Sequence, residues 1–433
     1  MKTKIHLIAA GIALYAAACI SNVNAQAYKL NQVIVLNDGN RLYNDTTGTY
    51  TTVGSYNPAT KIYKDFDTIK GSKFGSYVII DSGYIYVGAD SLLIKYDLNT
   101  KQRVAKQTVI GIREMAVWGN RILVTLGTTF PLHSYFQVFN KSNLQLIYQD
   151  TTVSHATQGI KVMNDSAYIA INDFGSGSVG LLGVEDLKAQ KEKREVNLGV
   201  NGLNPYDVEI EPTNKRVFTI NDLNWTNSTV TKYNAATVAF VNYSLNLSSG
   251  CTGSAYYQGN VYFQAGNDAN IGLFSTSSNT VWDSLKINKF IYGMAIDSAD
   301  GYMYVSQTDY KTFGETYIYN LFGQAIDSFA TDVAPGNFAF DITSVAGVPQ
   351  INTNIGLSVY PNPASNQVLL NFSGACKGMA TLVITNLPGQ EVYSNQISTA
   401  APYSLSLGNL ASGMYFITLE TTNGKVVKKI IKQ

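Results

Sequence analysis

Seven short apolar segments recur along this chain in one register, and their recurrence constrains the fold more than any other feature. They read QVIVLN, GYIYVG, NRILVT, AYIAIN, RVFTIN, NVYFQA and YMYVSQ, anchored at Val33, Ile85, Ile122, Ile169, Val217, Val261 and Met303. Successive anchors lie 52, 37, 47, 48, 44 and 42 residues apart. A period of this length marks a four-stranded blade of a radial all-β ring. The repeat predicts a seven-bladed β-propeller.

Each anchor leads into a second strand and a turn, as in LLIKYDLNT or TVTKYNAATV, and each turn runs on into a further strand. A strand also precedes anchors two to seven: SYVIID, REMAVWG, GIKVMND, YDVEIEP, SAYYQG and YGMAIDS. The first anchor has no such partner upstream. A seventh segment, GNFAFDI from Gly336 to Ile342, follows the last blade instead. It is expected to supply the innermost strand of blade one, so that the ends of the ring pair and leave only short, protected edges. The ring is placed at residues 26–342, and the polar stretch 343–354 is read as a linker.

Composition suits such a ring. Tyr counts 29 and Gly 36, while only 14% of residues are charged, a profile of short strands and glycine turns rather than helices. Met1 to Ala25 carries Lys2 and Lys4, an apolar run from Ile5 to Ile20, and Val23-Asn24-Ala25 before Gln26, which together read as a secretory signal peptide. Cys19 after three alanines raises lipidation as an alternative, though Ala16 stands where such signals usually carry a bulkier aliphatic residue. Removing residues 1–25 takes two of the 31 Lys and Arg residues and none of the 30 acids, leaving 29 basic against 30 acidic groups. A chain this close to neutral offers no electrostatic footprint for nucleic acid or an anionic membrane. No stretch of the mature chain is apolar for long enough to span a bilayer as a helix. Cys251 and Cys376 remain, in different expected domains, so no disulfide framework is expected.

The C-terminal stretch reads LSVYPNPASNQVLLNF from Leu357 to Phe372, then ITNLPGQEVY, then LGNLASGMYFITLETTNGKVVKKIIKQ to Gln433. Its alternating strands, separated by turn residues, predict a small Ig-like β-sandwich over 355–433, with Asn423-Gly424 as a hairpin turn. These three motifs, in this order, resemble the type A C-terminal sorting domain that Bacteroidota attach to cargo of the type IX secretion system. The resemblance implies export, handling by the type IX machinery and its sortase, trimming of the domain on arrival, and release or attachment at the outer cell surface. The middle region resembles YncE-like surface propellers of the same phylum. That resemblance implies a binding role without a defined ligand: a glycan, a peptide or a corrinoid. Tripeptides such as Asp67-Thr68-Ile69 resemble the O-glycosylation sequon of the phylum, a pattern that also arises freely.

Strand direction locates a site. If inner strand one descends from an upper face, strand two returns to it, so loops before strand one and after strand two share that face. They carry Asp222, Trp225, Asp268, Asp309, Phe130, Phe174 and Tyr310 after strand two, and Arg113, His155, Tyr206 and Tyr292 before strand one. As a binding surface, Asp and Asn would bond a polar ligand while rings stack on its apolar faces. As plain structure, Asn-Asp pairs form local turns and the rings cover blade ends. Catalytic patterns are scarce: only His133 and His155 survive signal removal, and neither G-x-S-x-G nor HExxH occurs. No metal site, cofactor or catalytic residue is assigned. The reading is a binding platform; the alternatives are a polysaccharide lyase or glycoside hydrolase on the same face, built from paired carboxylates, or a structural surface component.

Overall fold

The computed structural model describes residues 28–40, 48–223, 227–245, 247, 249–265, 270–287, 289–344, 355–374, 378–386, 390–421 and 424–433. The signal segment, most of the linker, Trp225, Asp268 and Cys376 lie outside the described residues. The described strands divide into two units, Tyr28–Ser344 and a C-terminal one.

The first unit is seven four-stranded antiparallel sheets. Blades two to seven start with the inner strands Gly75–Asp81, Ile112–Trp118, Thr157–Met163, Pro205–Glu211, Ser249–Tyr257 and Met294–Ile296, and each blade runs outward in chain order. Blade one differs: its order is Pro335–Ser344, Tyr28–Asn37, Thr51–Asn57, Ile62–Ile69, so the last strand of the ring is hydrogen-bonded to the first. Val33 pairs with Phe340 and Val35 with Phe338. The closing strand runs past Ile342, because Thr343 pairs with Lys29 and Ser344 with Tyr28.

Period-two alternation explains these sheets. All seven anchors lie in second strands and are essentially inaccessible, from Val33 to Met303. Each blade face is apolar because it is covered by a neighbouring blade, and the core is a series of inter-blade layers. Ile34, Leu36 and Val53 of blade one meet Val78, Ile85 and Val87 of blade two. The closing joint has its own layer: Tyr56 of blade one stacks on Phe329 of blade seven with centroids 3.8 Å apart and planes 6° from parallel. Burial of such side chains stabilises by about 1.5–3 kcal/mol each. Outer strands such as Arg103–Thr108 are largely exposed and carry alternating polar residues.

The C-terminal unit is a sandwich of a three-stranded and a four-stranded antiparallel sheet. Its core joins Leu357, Val368 and Leu370 of one sheet to Leu382, Ile384, Ile417 and Leu419 of the other. The Asn of its PNP motif has a defined task. Asn362 Nδ2 donates to the Lys429 carbonyl and Asn362 Oδ1 accepts from the Ile431 amide, both at 2.9 Å, clipping the basic final strand to the first loop. The terminal hairpin pairs Thr421 with Gly424. Gly424 therefore opens the final strand, whereas the sequence suggested that it stands in the turn.

Candidate functional site at the upper mouth of the ring

In each blade the start of the inner strand pairs with the end of the second: Gly75 with Ala89, Thr157 with Ile171, Pro205 with Asn221. The loops preceding the first and following the second therefore emerge at one end of the ring, as strand direction requires.

Two groups stand at that mouth. In one, Tyr292 and Tyr310 of blade seven meet edge to face, with centroids 5.1 Å apart. The Tyr292 hydroxyl donates to Asp38 Oδ2 of blade one, whose Oδ1 accepts the Gly75 amide of blade two. One carboxylate thus ties three blades. Burial pushes Asp38 up to about 7, against the lowering effect of the Tyr292 hydroxyl, the Gly75 amide and the charge of Arg113. A Cβ on Gly336 would lie 3.1 Å from Asp38 Oδ1 and 3.5 Å from the Tyr292 ring, so glycine leaves the room this contact needs. In the second group the Arg113 guanidinium lies 5.1 Å from the Phe174 ring centroid, and its Nε donates to Gln158 Oε1 at 2.7 Å. Phe174, at φ 56, holds its exposed ring in a left-handed turn.

Other expected residues belong elsewhere. Tyr206 packs in the layer formed by Phe218, Ile220 and Phe263, and Asp222 is buried with its amide bonded to the Asn204 carbonyl. Both side chains are buried rather than displayed at the mouth. Asp309 caps its own loop, accepting from the Lys311 and Thr312 amides at 2.8 Å and from the Thr312 hydroxyl, and these bonds lower its pKa. Asn37 and Asn221 are likewise committed: Asn37 donates to Thr52 and Tyr63, Asn221 to Thr229 and Thr231. For these residues local turn and sheet chemistry governs. Phe130 is exposed in its loop. His155 Nδ1 lies 2.7 Å from Ser154 Oγ, but that hydroxyl donates to Glu195 Oε2 at 2.7 Å. The serine proton is thus directed at the carboxylate rather than at the imidazole.

Sequence reading missed the wall below the mouth. Inner strands of blades three to six bring together Glu114, Lys161, Asp207, Glu209 and Ser254. Lys161 Nζ lies 4.0 Å from Asp207 and 3.9 Å from Glu209. Ser254 Oγ donates to Asp207 Oδ2 at 3.0 Å and is 3.2 Å from Glu209 Oε1; Glu114 Oε2 accepts the Ile160 amide at 3.2 Å. Three carboxyls surround one ammonium group. Burial, then the charge of Asp207, pushes Glu114 up to about 8, and burial pushes Glu209 up to about 7. Burial pulls Lys161 down, but Tyr77, Glu209, Asp207 and Glu114 outweigh it and hold the ammonium well above its usual range. The only available signal was an acidic or basic residue in the middle of an otherwise apolar inner strand. In the charged segment 183–198, Glu185 is likewise buried, against the Tyr148 hydroxyl at 3.1 Å, and burial raises it to about 8.

The first unit is a β-propeller, and solved structures resemble it at that level. A chain of Kuenenia stuttgartiensis hydrazine synthase is 16% identical, covering 65% of this chain and 99% of its own, with a TM-score of 0.52. A Lactobacillus plantarum protein is 12% identical over 72% of this chain and 100% of its own, with a TM-score of 0.54. A chain of the mitotic checkpoint complex is 13% identical over 67% and 86%, with a TM-score of 0.52. These likenesses concern the fold alone. No curated protein matches the chain in sequence. Residues 358–433 match the family described as the secretion system C-terminal sorting domain, so the C-terminal unit is a type IX sorting domain. It directs the protein through that machinery to secretion or surface attachment.

Proposed function

We propose that the ring is a ligand- or partner-binding platform that works without chemistry outside the cell, with residues 1–25 as its export signal and the upper mouth as its binding face. The observation that carries this reading is the Tyr292–Tyr310 pair anchored on buried Asp38, with the Arg113–Phe174 pair at the same mouth. Both rings are held by packing, so little order is lost when a ligand binds. Exposed aromatic side chains stand in the upper loops: Phe130, Phe174, Phe290, Tyr310 and Phe313. An apolar rim around a few fixed polar groups suits a glycan, a peptide or a corrinoid. The middle region's likeness to YncE-like surface propellers of Bacteroidota supports the same role.

One observation favours an enzyme: Asp38, near 7, sits beside a phenol and has the range of an acid or base. Its burial beneath Tyr292 opposes that use. Retention of glycan, peptide and corrinoid panels by the full chain, followed for bound ligand and for product, separates the readings. The binding reading expects retention without turnover, weakened in Tyr310→Ala and Arg113→Ala. Turnover lost in Asp38→Asn would establish the enzyme, and no retention by any panel would leave a structural component.

A further inference from the structure

We propose that the lower edge of blade three is a second binding site, independent of the upper mouth, for a sugar that carries a carboxylate: a uronic acid residue of a glycan. The hairpin Trp118-Gly119-Asn120-Arg121 joins the inner and second strands, with Gly119 at φ 56, so Trp118 and Arg121 face each other across the turn. A cavity of about 450 Å³ is lined by these four residues together with Asn140 and Ile147. The Arg121 guanidinium stacks on the Trp118 indole with its carbon 5.1 Å from the ring centroid. Stacking fixes the plane of the fork while leaving its edge to donate, the arrangement that suits a carboxylate held by two parallel hydrogen bonds.

Blade five shows what this position looks like when the protein satisfies itself. Arg216 occupies the equivalent place, opposite Glu211 across the turn and Asn234 on the third strand, as Arg121 stands opposite Trp118 and Asn140. There Glu211 pairs with Arg216 at 3.4 Å. In blade three a tryptophan replaces the acid, and Arg121 makes no ion pair among the described residues. Its hydrogen bond there is one to the Leu187 carbonyl at 3.4 Å. Nearby Lys141, by contrast, is neutralised by Asp81. No acid lines the cavity.

Two amides add to the unspent donors. Asn140 Oδ1 accepts from the Ser142 amide at 2.8 Å and the Ser142 hydroxyl at 2.6 Å, which turns Nδ2 away with no acceptor among the described residues. The Asn120 side chain has no partner among them either. A guanidinium without its carboxylate, two amides to meet hydroxyls, and the apolar surfaces of Trp118 and Ile147 describe a ring acid with neighbouring hydroxyls. A lone carboxylate would leave the amides idle, and a neutral sugar would leave the cation unpaired.

The test is titration calorimetry of the full chain with trisaccharides of galacturonate and of glucuronate, the uncharged galactose trisaccharide, and tri-glutamate. At least one uronate is expected to bind, about tenfold or more tighter than the uncharged sugar or the peptide. Arg121→Gln and Trp118→Glu, which imports the pairing of blade five, should each weaken it about tenfold or more. Arg121→Lys should weaken it less, and Arg216→Gln in blade five should leave it unchanged. Failure of both uronates to bind, equal binding of the neutral sugar, tighter binding of tri-glutamate, or undiminished affinity in Arg121→Gln would each overturn the proposal. Should Trp118→Glu not fold, the two Arg121 variants carry the test alone.

Discussion

The wall of the ring and its upper mouth treat charge in opposite ways. On the wall, Glu114, Asp207 and Glu209 crowd around Lys161, each also engaged by a backbone amide or by Ser254. At the mouth, Arg113 lies against Phe174, and Tyr310 meets Tyr292 edge to face while staying 41% exposed. The wall settles charges with charges taken from neighbouring blades. The mouth sets Arg113 against a ring and Asp38 against a phenol hydroxyl. Wall residues should therefore govern stability and mouth residues recognition.

The strongest attack on that division removes a wall strand. Deleting Pro335–Ser344 takes the inner strand from blade one, and the ring should lose its cooperative unfolding transition; an unchanged calorimetric transition would break the closure argument. Next in size is Lys161→Met, which leaves three carboxyls without their cation. It should cost about 2–4 kcal/mol in denaturant unfolding, below the value for a fully buried pair because the Lys161 side chain keeps 31% of its surface. A loss under about 0.5 kcal/mol, the range of an ordinary surface change, would place the cluster in solvent.

The pH dependence follows from the same cluster. Glu114 near 8 and Glu209 near 7 bind protons more tightly folded than unfolded, where they titrate at about 4.3. Their contribution is complete below pH 4 and is lost as pH rises through 7 and 8. Asp38, near 7, acts in the same sense. The melting temperature should fall between pH 5 and pH 9, and Glu114→Gln should flatten the slope; a rise over that interval would reverse the assignment. Tyr310→Ala should cost only about 1 kcal/mol, the worth of one aromatic pair, while weakening retention at the mouth. Smallest of all, Phe313→Ser should stay within about 0.5 kcal/mol, and a larger thermal shift would show that this ring is structural.

The fold was legible because a blade repeats its own grammar: an apolar second strand ends in a polar loop seven times, and Gly336 to Ile342 completed the count. The mouth was legible in its rings, since Phe174 and Tyr310 stand out from polar loops. It was misread at Tyr206, Asp222 and Asp309, because a sequence shows that a residue lies near a loop but not whether it turns inward or caps its own turn. The wall escaped because its members come from strands nearly fifty residues apart, and one charged residue per strand looks like ordinary alternation. The sequence placed Asp38 on the upper face only as half of an Asn-Asp pair, where nothing set it apart from every other turn.

The pairing of Tyr28–Asn37 with Pro335–Ser344 also sets a timetable. Bringing these segments together closes a loop of about three hundred residues, at an entropic cost near 5 kcal/mol on the scaling (3/2)RT ln n. No shorter portion of the ring can make that contact, so closure is a late, high-contact-order event that waits for the whole ring to be available. The sorting domain lies beyond that last strand in the chain. During synthesis the export label is therefore finished only after every residue needed to shut the ring already exists, and a chain cut short anywhere in the blades carries neither a closed ring nor a passport.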